Sequence, residues 1–310
     1  MHWGWVMSEW NAWAAGTPAR ESFIEEHGPQ DSAANRDPHA SPANAPIVAP
    51  NGAPSARHAA QKKDRTTDAL TVLRAFNTWA FKREQPSDPQ LMVKMVSESI
   101  ALGAAIPFVL YWGKGPRCKI AQPDIDCLDY LARLAHRVKQ AYQPGASIRL
   151  IFTDTHAELN GHSPHSMRRY FTEVDAAARQ RGFHSCWLGP ITRASAEAAC
   201  GALAHHDISQ EALTRLFASA RKWYRGKGTY EEGALQYFRM NTVERRAVEL
   251  AFPGSIFVTF NGSEHSILFP QRLPIFYMYS LRRGVSIKPW YLPVEATVCD
   301  DASCQCRVLQ

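Results

Sequence analysis

The sequence predicts an α/β fold: a Rossmann-like, mostly parallel sheet flanked by helices, with a β-rich C-terminal part and a disordered N-terminal tail. Two compact apolar runs, residues 106–112 and 148–154, are typical of buried strands. Between them, residues 124–141 carry leucines and other apolar residues on one helical face. A strand, a helix and a second strand in this order form a βαβ unit, which requires a parallel sheet with helices on its faces.

Leucine and charge divide the chain near residue 66. The first leucine is Leu70, and residues 29–60 consist mainly of alanine, proline, serine and asparagine. Such a composition buries too little apolar surface to offset chain entropy. Of the 35 Lys/Arg and 29 Asp/Glu residues in the chain, residues 1–66 hold six and seven. Residues 67–310 therefore hold 29 Lys/Arg and 22 Asp/Glu, a net charge of +7. We therefore expect a tail over residues 1–65, a folded body over 66–293 and a cysteine-containing tail over 294–310.

The remaining elements of the body follow from periodicity and turn residues. Helical patterns cover residues 66–83, 88–102, 164–181, 194–225 and 234–251, and a short strand pattern covers 183–188. We place the N-cap of the 124–141 helix at Asp124. From residue 255, three short β-like runs are separated by turn sequences, which predicts an antiparallel β-rich end.

Composition excludes several classes of protein. No stretch reaches the roughly eighteen apolar residues of a transmembrane helix, so no membrane partner is expected. Seven cysteines, an odd number, and the lack of a recognisable secretory signal favour reduced thiols in the cytoplasm. The C-terminal group of Cys299, Cys304 and Cys306 has no second half of a zinc site, so no metal is predicted.

Two polar loops follow the predicted strands, at the sheet edge where α/β proteins bind ligands. Residues 113–119 contain two glycines with Lys114, Arg117 and Lys119, which indicates either an anion site or a solvated basic turn. Residues 154–163 begin with Asp154, a position typical of a catalytic carboxylate or an amine anchor. His156 and His162 lack an obvious third metal ligand, which favours hydrogen-bonded turn residues.

Three further segments contain candidate residues. Arg239 and Glu244 lie on one predicted helix, five residues apart, and therefore on different faces. His265 lies in a turn between two predicted strands, where it lines a site or is simply exposed. Lys288 precedes a proline, which holds its backbone extended. This segment either lines a substrate site or packs at the edge of the core.

The order of these motifs resembles the isocyanide (isonitrile) synthases, the family that includes the pyoverdine-cluster and dityrosine-pathway enzymes. The resemblance covers roughly residues 67–293. It consists of the Lys114–Lys119 loop, Pro123–Asp124, Thr153–Asp154, Arg239, Glu244, Phe252–Pro253, the 256–261 strand and Lys288–Trp290. The chain departs from the family pattern at four positions, since Phe257, Asn261, Thr155 and Tyr291 stand where the family has Arg, His, Gly and His.

The resemblance implies an enzyme that joins the amine of an amino acid to the C2 ketone of ribulose 5-phosphate and leaves an isonitrile carbon. This chemistry needs an anion clamp, a carboxylate near the amine and acid/base groups, but no cofactor. The catalytic residues are then Asp154, His156, Glu244 and His265, and the substrate-binding residues are Lys114, Arg117, Lys119, Asn160, Arg239 and Lys288.

Two alternatives stay open. One is a divergent relative that catalyses another condensation or lyase reaction on an amino acid and a phosphosugar. The other is a basic nucleic-acid-binding protein, although the basic residues are scattered among elements and no binding module is recognisable. The favoured interpretation thus has small-molecule partners, no nucleic acid and no membrane, and it leaves a homodimer open.

Overall fold

The computed structural model describes residues 68–278, apart from 79, 114–117, 196–207, 264–265 and 267–268. All of these lie in the unit that spans Ala59–Gln310. The predicted tails, residues 1–65 and 294–310, lie outside the described residues. Among the described residues, no helix combines the length and hydropathy needed to cross a membrane.

The centre of the molecule is a five-stranded sheet in the order β3-β2-β1-β4-β5, with every neighbouring pair parallel. The strands are β1 Ile106–Trp112, β2 Ala146–Phe152, β3 His184–Trp187, β4 Ile256–Thr259 and β5 Ile275–Tyr277. The predicted parallel α/β fold is confirmed. The direction of strand addition reverses between β1 and β4, and in open α/β sheets such a reversal marks the place where ligands bind.

Helices cover both faces of the sheet. They are α1 68–76, α2 Pro89–Ala101, α3 Gln122–Ala141, α4 Asp154–Leu159, α5 Pro164–Arg179, α6 Leu188–Ala194, α7 Gln210–Trp223 and α8 Tyr230–Ala251. Strand residues alternate between the faces. Val109 joins a cluster with residues of α6 and α8, whereas Phe108 packs against Phe76 of α1. Because both faces are covered, β1 is apolar along nearly its whole length.

Local signals explain where most helices begin. The side chains of Asp88 and Ser163 accept the capping hydrogen bonds of α2 and α5, and each helix starts with proline. Thr229 and Glu232 form a reciprocal capping box on α8. The predicted cap of α3 was three residues late, because its N-cap is Ala121. The Asp124 carboxylate instead accepts from the Ala121 N–H at 2.9 Å, as an N3 residue does.

The antiparallel prediction for the C-terminal strands was wrong. β4 pairs with β1, and β5 pairs with β4, both in parallel. The isolated antiparallel bridge, between Lys82 and Met278, explains why the first predicted helix ends early. The chain leaves α1 after Phe76 and runs beside β5, where the Arg83 and Ser87 N–H groups donate to carbonyls of that strand. This segment covers a sheet edge that would otherwise expose unpaired backbone groups.

Candidate active site

The described polar side chains that converge in the core lie at the carboxyl end of the sheet. They come from the end of β1, from the short helix α4 that follows β2, and from the middle of α8. The strand order places β1 beside the point where the sheet reverses its order. Open α/β sheets bind ligands at this edge, so these residues are candidates for a ligand site.

His156 and Glu244 form a buried pair. The His156 Nε2 and Glu244 Oε2 atoms are 2.6 Å apart, and the two residues are 2% and 0% exposed. The neighbouring Thr155 hydroxyl donates to the other carboxylate oxygen, Oε1, at 2.5 Å. An ionised carboxylate only accepts, so we assign the proton of the neutral imidazole to Nε2. The Nδ1 atom then presents a lone pair, and it has no hydrogen-bond partner among the described residues.

Two tyrosines contact the imidazole edge-on. The Tyr111 and Tyr237 ring centroids lie 6.0 and 5.3 Å from that of His156. The Tyr111 hydroxyl is buried and likewise without a partner in the described part of the chain. Burial raises its pKa above the ordinary value, the nearby Arg245 opposes this, and Glu244 adds to it. The hydroxyl therefore keeps its proton and acts as a donor.

α8 supplies two more buried polar groups. Asn241 is 1% exposed, and neither atom of its amide has a hydrogen-bond partner in the described residues. Arg245 donates from Nη1 to the Phe269 carbonyl at 2.7 Å, and its guanidinium lies 5.9 Å from the Phe257 ring centroid. Burial lowers the pKa of Arg245, while Tyr111 raises it, but a guanidinium still stays cationic.

The helical repeat explains why these groups share one face. Tyr237 lies four residues before Asn241, and Glu244 and Arg245 lie three and four residues after it. Because Tyr237 and Glu244 both contact His156, Asn241 lies between two residues that contact the imidazole. The cluster therefore combines a base, a buried carboxylate, hydroxyl and amide groups and a cation in one water-poor site.

The predicted site residues separate into three groups. The structure brings His156 and Glu244 together, and Asp154 and Asn160 lie at the two ends of the same helix, α4. The Asp154 Oδ1 atom accepts from the Gly189 N–H at 2.9 Å, while the Asn160 amide donates to the His156 carbonyl at 2.9 Å.

Two other predicted residues are exposed. Lys119 lies beyond the end of β1. Arg239 lies on the opposite face of α8 from the cluster, in an open groove of about 500 Å³ with Glu232 and Gln236. The remaining four, Lys114, Arg117, His265 and Lys288, fall outside the described residues.

Four residues of the cluster were not named as candidates from sequence: Tyr111, Tyr237, Asn241 and Arg245. The usable signal was helical spacing, because Asn241 lies three residues before Glu244 and four before Arg245. Tyr111 offered no signal, since it lies inside an apolar run. Within the described ranges, no group of three or more His, Cys, Asp or Glu side chains is arranged to hold a metal ion.

No protein-family model and no curated protein matches the chain. Among solved structures, PvcA from Pseudomonas aeruginosa, the pyoverdine-cluster isocyanide synthase, superposes with a TM-score of 0.53 at 16% identity. The match covers 73% of this chain and 88% of PvcA.

Tyrosyl-tRNA synthetases in complex with L-tyrosine also align. The enzyme from Pyrococcus horikoshii has a TM-score of 0.41 at 9% identity, over 64% of this chain and 52% of its own. The enzyme from Archaeoglobus fulgidus has a TM-score of 0.38 at 12% identity, over 69% and 63%. Both scores are too low to indicate a common fold. The comparison with PvcA confirms the fold class that the sequence predicted: the chain has an α/β fold similar to that of PvcA.

Proposed function

We propose that this protein is an isonitrile synthase-like biosynthetic enzyme that condenses the amine of an amino acid with the C2 ketone of ribulose 5-phosphate. One observation carries the proposal. In a chain with the fold of PvcA, the buried His156–Glu244 pair lies at the carboxyl end of β1 and β2, the ligand-binding edge of such sheets. A buried carboxylate that orients an imidazole is the arrangement of a general base.

The pair can perform the proton transfers that the condensation requires. An amine that attacks a ketone must lose a proton, and the oxygen that receives the electron pair must gain one. The Nδ1 lone pair of His156 is the acceptor in this proposal, and Glu244 stabilises the imidazolium that forms. Asp154 remains the amine anchor; its Oδ1 atom accepts from the Gly189 N–H, and its Oδ2 atom is assigned to accept from the neutral amino group.

The phosphate needs positive charge at the same edge of the sheet. We assign this role to Lys114, Arg117 and Lys119, with further positive charge from Lys288. Lys119 is exposed, and its side chain is therefore accessible to a substrate that enters from solvent. Arg239 lies in the groove on the opposite face of α8, so it is not part of this clamp.

A second candidate is another condensation or lyase reaction on the same two substrates. The observation that favours it is Phe257, which stands where the family pattern has arginine. Its ring is 2% exposed and lies beneath the Arg245 guanidinium, so the cation comes from a helix instead of the strand. A cation that approaches from a different direction would bind a different part of the substrate.

The test is an incubation of the protein with ribulose 5-phosphate and the common amino acids, one at a time. The proposal predicts amino-acid-dependent release of free phosphate and a product that reacts with a tetrazine as isonitriles do. Phosphate release without a tetrazine-reactive product would select the second candidate. No phosphate release with any amino acid would reject both.

Lys119→Ala tests the anion clamp within that assay. We expect turnover to be abolished while the thermal unfolding midpoint stays unchanged, because the side chain is exposed. Lys94→Ala is the matched control, since Lys94 is also exposed and lies on α2. A rate for Lys119→Ala equal to that of the control would remove Lys119 from the clamp.

A further inference from the structure

Tyr111 is a partly buried residue of the sheet whose hydroxyl is fully buried. It is the penultimate residue of β1, the central strand. The next residue, Trp112, points to the opposite face of the sheet, where its Nε1–H donates a hydrogen bond to the Tyr170 hydroxyl. Tyr111 packs against the cluster of Val109, Leu188, Val248 and Phe257. A phenylalanine would fill this position equally well, so packing does not explain the hydroxyl.

Three neighbouring groups share the same unusual property. The Tyr111 hydroxyl, the His156 Nδ1 atom and both amide atoms of Asn241 are buried without a hydrogen-bond partner in the described part of the chain. Buried polar atoms are nearly always paired, because an unpaired one loses its hydration without compensation. The three groups belong to one cluster, since the Tyr111 ring contacts the His156 ring, and Asn241 lies one helical turn from Tyr237 and from Glu244, which both contact His156. A ligand that satisfies all three would explain why they persist together.

The donors and acceptors define the ligand. Tyr111 and the amide nitrogen of Asn241 each offer a proton, and His156 Nδ1 offers a lone pair. Burial raises the Tyr111 pKa, and the nearby Arg245 guanidinium opposes this effect, so Arg245 supplies the positive charge beside these groups. These features fit a carbonyl oxygen that becomes an alkoxide, beside a group that loses a proton.

We infer that Tyr111 and Asn241 form an oxyanion hole for the ketone oxygen of the substrate, opposite His156 Nδ1, an inference that rests on the proposed function. The neutral amine nitrogen forms a bond to the carbonyl carbon, and the π electron pair moves to the oxygen held by Tyr111 and Asn241. One proton of that nitrogen passes to His156 Nδ1. The imidazolium then gives this proton to the alkoxide, so a neutral carbinolamine results and His156 is restored.

The catalytic test is Tyr111→Phe, which removes one oxygen atom. Removal of one oxyanion donor commonly lowers kcat by about 10²- to 10³-fold. We expect that loss with less than about threefold change in KM for ribulose 5-phosphate, and an unchanged or higher thermal midpoint, because no hydrogen bond is lost. The control is Tyr142→Phe, which removes a hydroxyl that bonds to the Ser99 and Ala104 carbonyls at the other end of the sheet. Its kcat should match the wild type.

The outcomes separate this inference from the proposed function. Turnover by the wild type with an undiminished kcat in Tyr111→Phe would overturn the oxyanion hole and leave the function standing. If the wild type releases no phosphate with any amino acid, calorimetric titration of the wild type and of Tyr111→Phe with ribulose 5-phosphate tests the carbonyl site separately. An affinity about 2- to 12-fold weaker in Tyr111→Phe, the worth of one hydrogen bond, supports the carbonyl site. Equal affinity, or no binding by the wild type, overturns it.

Discussion

Replacement of Glu244 by glutamine is the sharpest perturbation of the buried pair. The carboxylate accepts two hydrogen bonds, from Thr155 at 2.5 Å and from His156 at 2.6 Å. In Glu244→Gln one oxygen remains to accept, and the new NH₂ group meets the second donor. If Thr155 keeps its bond, the amide donates to His156 Nε2, which forces the imidazole proton to Nδ1. His156 then presents a donor where the substrate needs a base.

The expected stability loss follows from these contacts. Each of the two hydrogen bonds to the charged carboxylate contributes about 1.5–3 kcal/mol, whereas each bond to the neutral amide contributes about 0.5–1.5 kcal/mol. The free energy of unfolding should therefore fall by about 2–3 kcal/mol. For a body of this size the thermal midpoint drops by about 2–4 °C per kcal/mol, so the shift is about 5–10 °C. Activity should fall by about 10²- to 10⁴-fold, the range typical of a mis-set histidine tautomer.

The assay is urea unfolding followed by circular dichroism, with the midpoint and the slope fitted for each variant. Glu232→Gln is the control, because it is the same substitution on the same helix at an exposed cap that accepts glutamine. A free energy of unfolding for Glu244→Gln within about 0.5 kcal/mol of the control, with full activity, would refute the reasoning.

Three further predictions follow from single contacts. Asn241→Leu removes a buried amide that has no hydrogen-bond partner in the described residues. It should therefore raise the free energy of unfolding by about 1–3 kcal/mol and abolish activity. A lower free energy of unfolding in urea would contradict this prediction. Burial holds the pKa of Tyr111 above 10.0, so above pH about 10 the unfolded chain ionises first and stability falls by about 1.4 kcal/mol per pH unit from this group. Between pH 10 and 12, the free energy of unfolding should fall less steeply for Tyr111→Phe than for the wild type. Parallel curves for the two proteins would exclude a contribution from Tyr111. Gly233→Ala places a methyl group 2.4 Å from Tyr224 Cζ, which should lower the free energy of unfolding by about 1–3 kcal/mol. The double variant Gly233→Ala/Tyr224→Leu should recover most of this loss. Equal free energies of unfolding for the single and the double variant would contradict the clash.

The sequence predicted local structure well because apolar runs and caps are local signals. β1 spans the predicted residues 106–112, and α2 begins one residue after its predicted start. The directions of β4 and β5 were mispredicted because pairing is a long-range property. Short runs joined by turn-like residues suggest hairpins, whereas β4 pairs with a strand that begins 150 residues earlier in the chain, Ile256 against Phe108 and its neighbours.

The site was predictable only where chemistry coincides with an exposed motif. His156 and Glu244 were named separately, but the sequence could not pair them, since their contact depends on how α8 lies against α4. Tyr111 was hidden because one hydroxyl in an apolar strand hardly alters its pattern. Asn241 was hidden because an asparagine among polar helix residues is ordinarily exposed.

Carbon-13 at C2 of ribulose 5-phosphate tests the central claim most directly. The wild type is incubated with the labelled sugar and the active amino acid, and the product is read by carbon NMR before and after tetrazine trapping. We predict that the label appears in an isonitrile carbon with the wild type and is absent with Glu244→Gln. Label that stays in sugar carbons with every amino acid, or equal isonitrile yields from both proteins, would contradict the account.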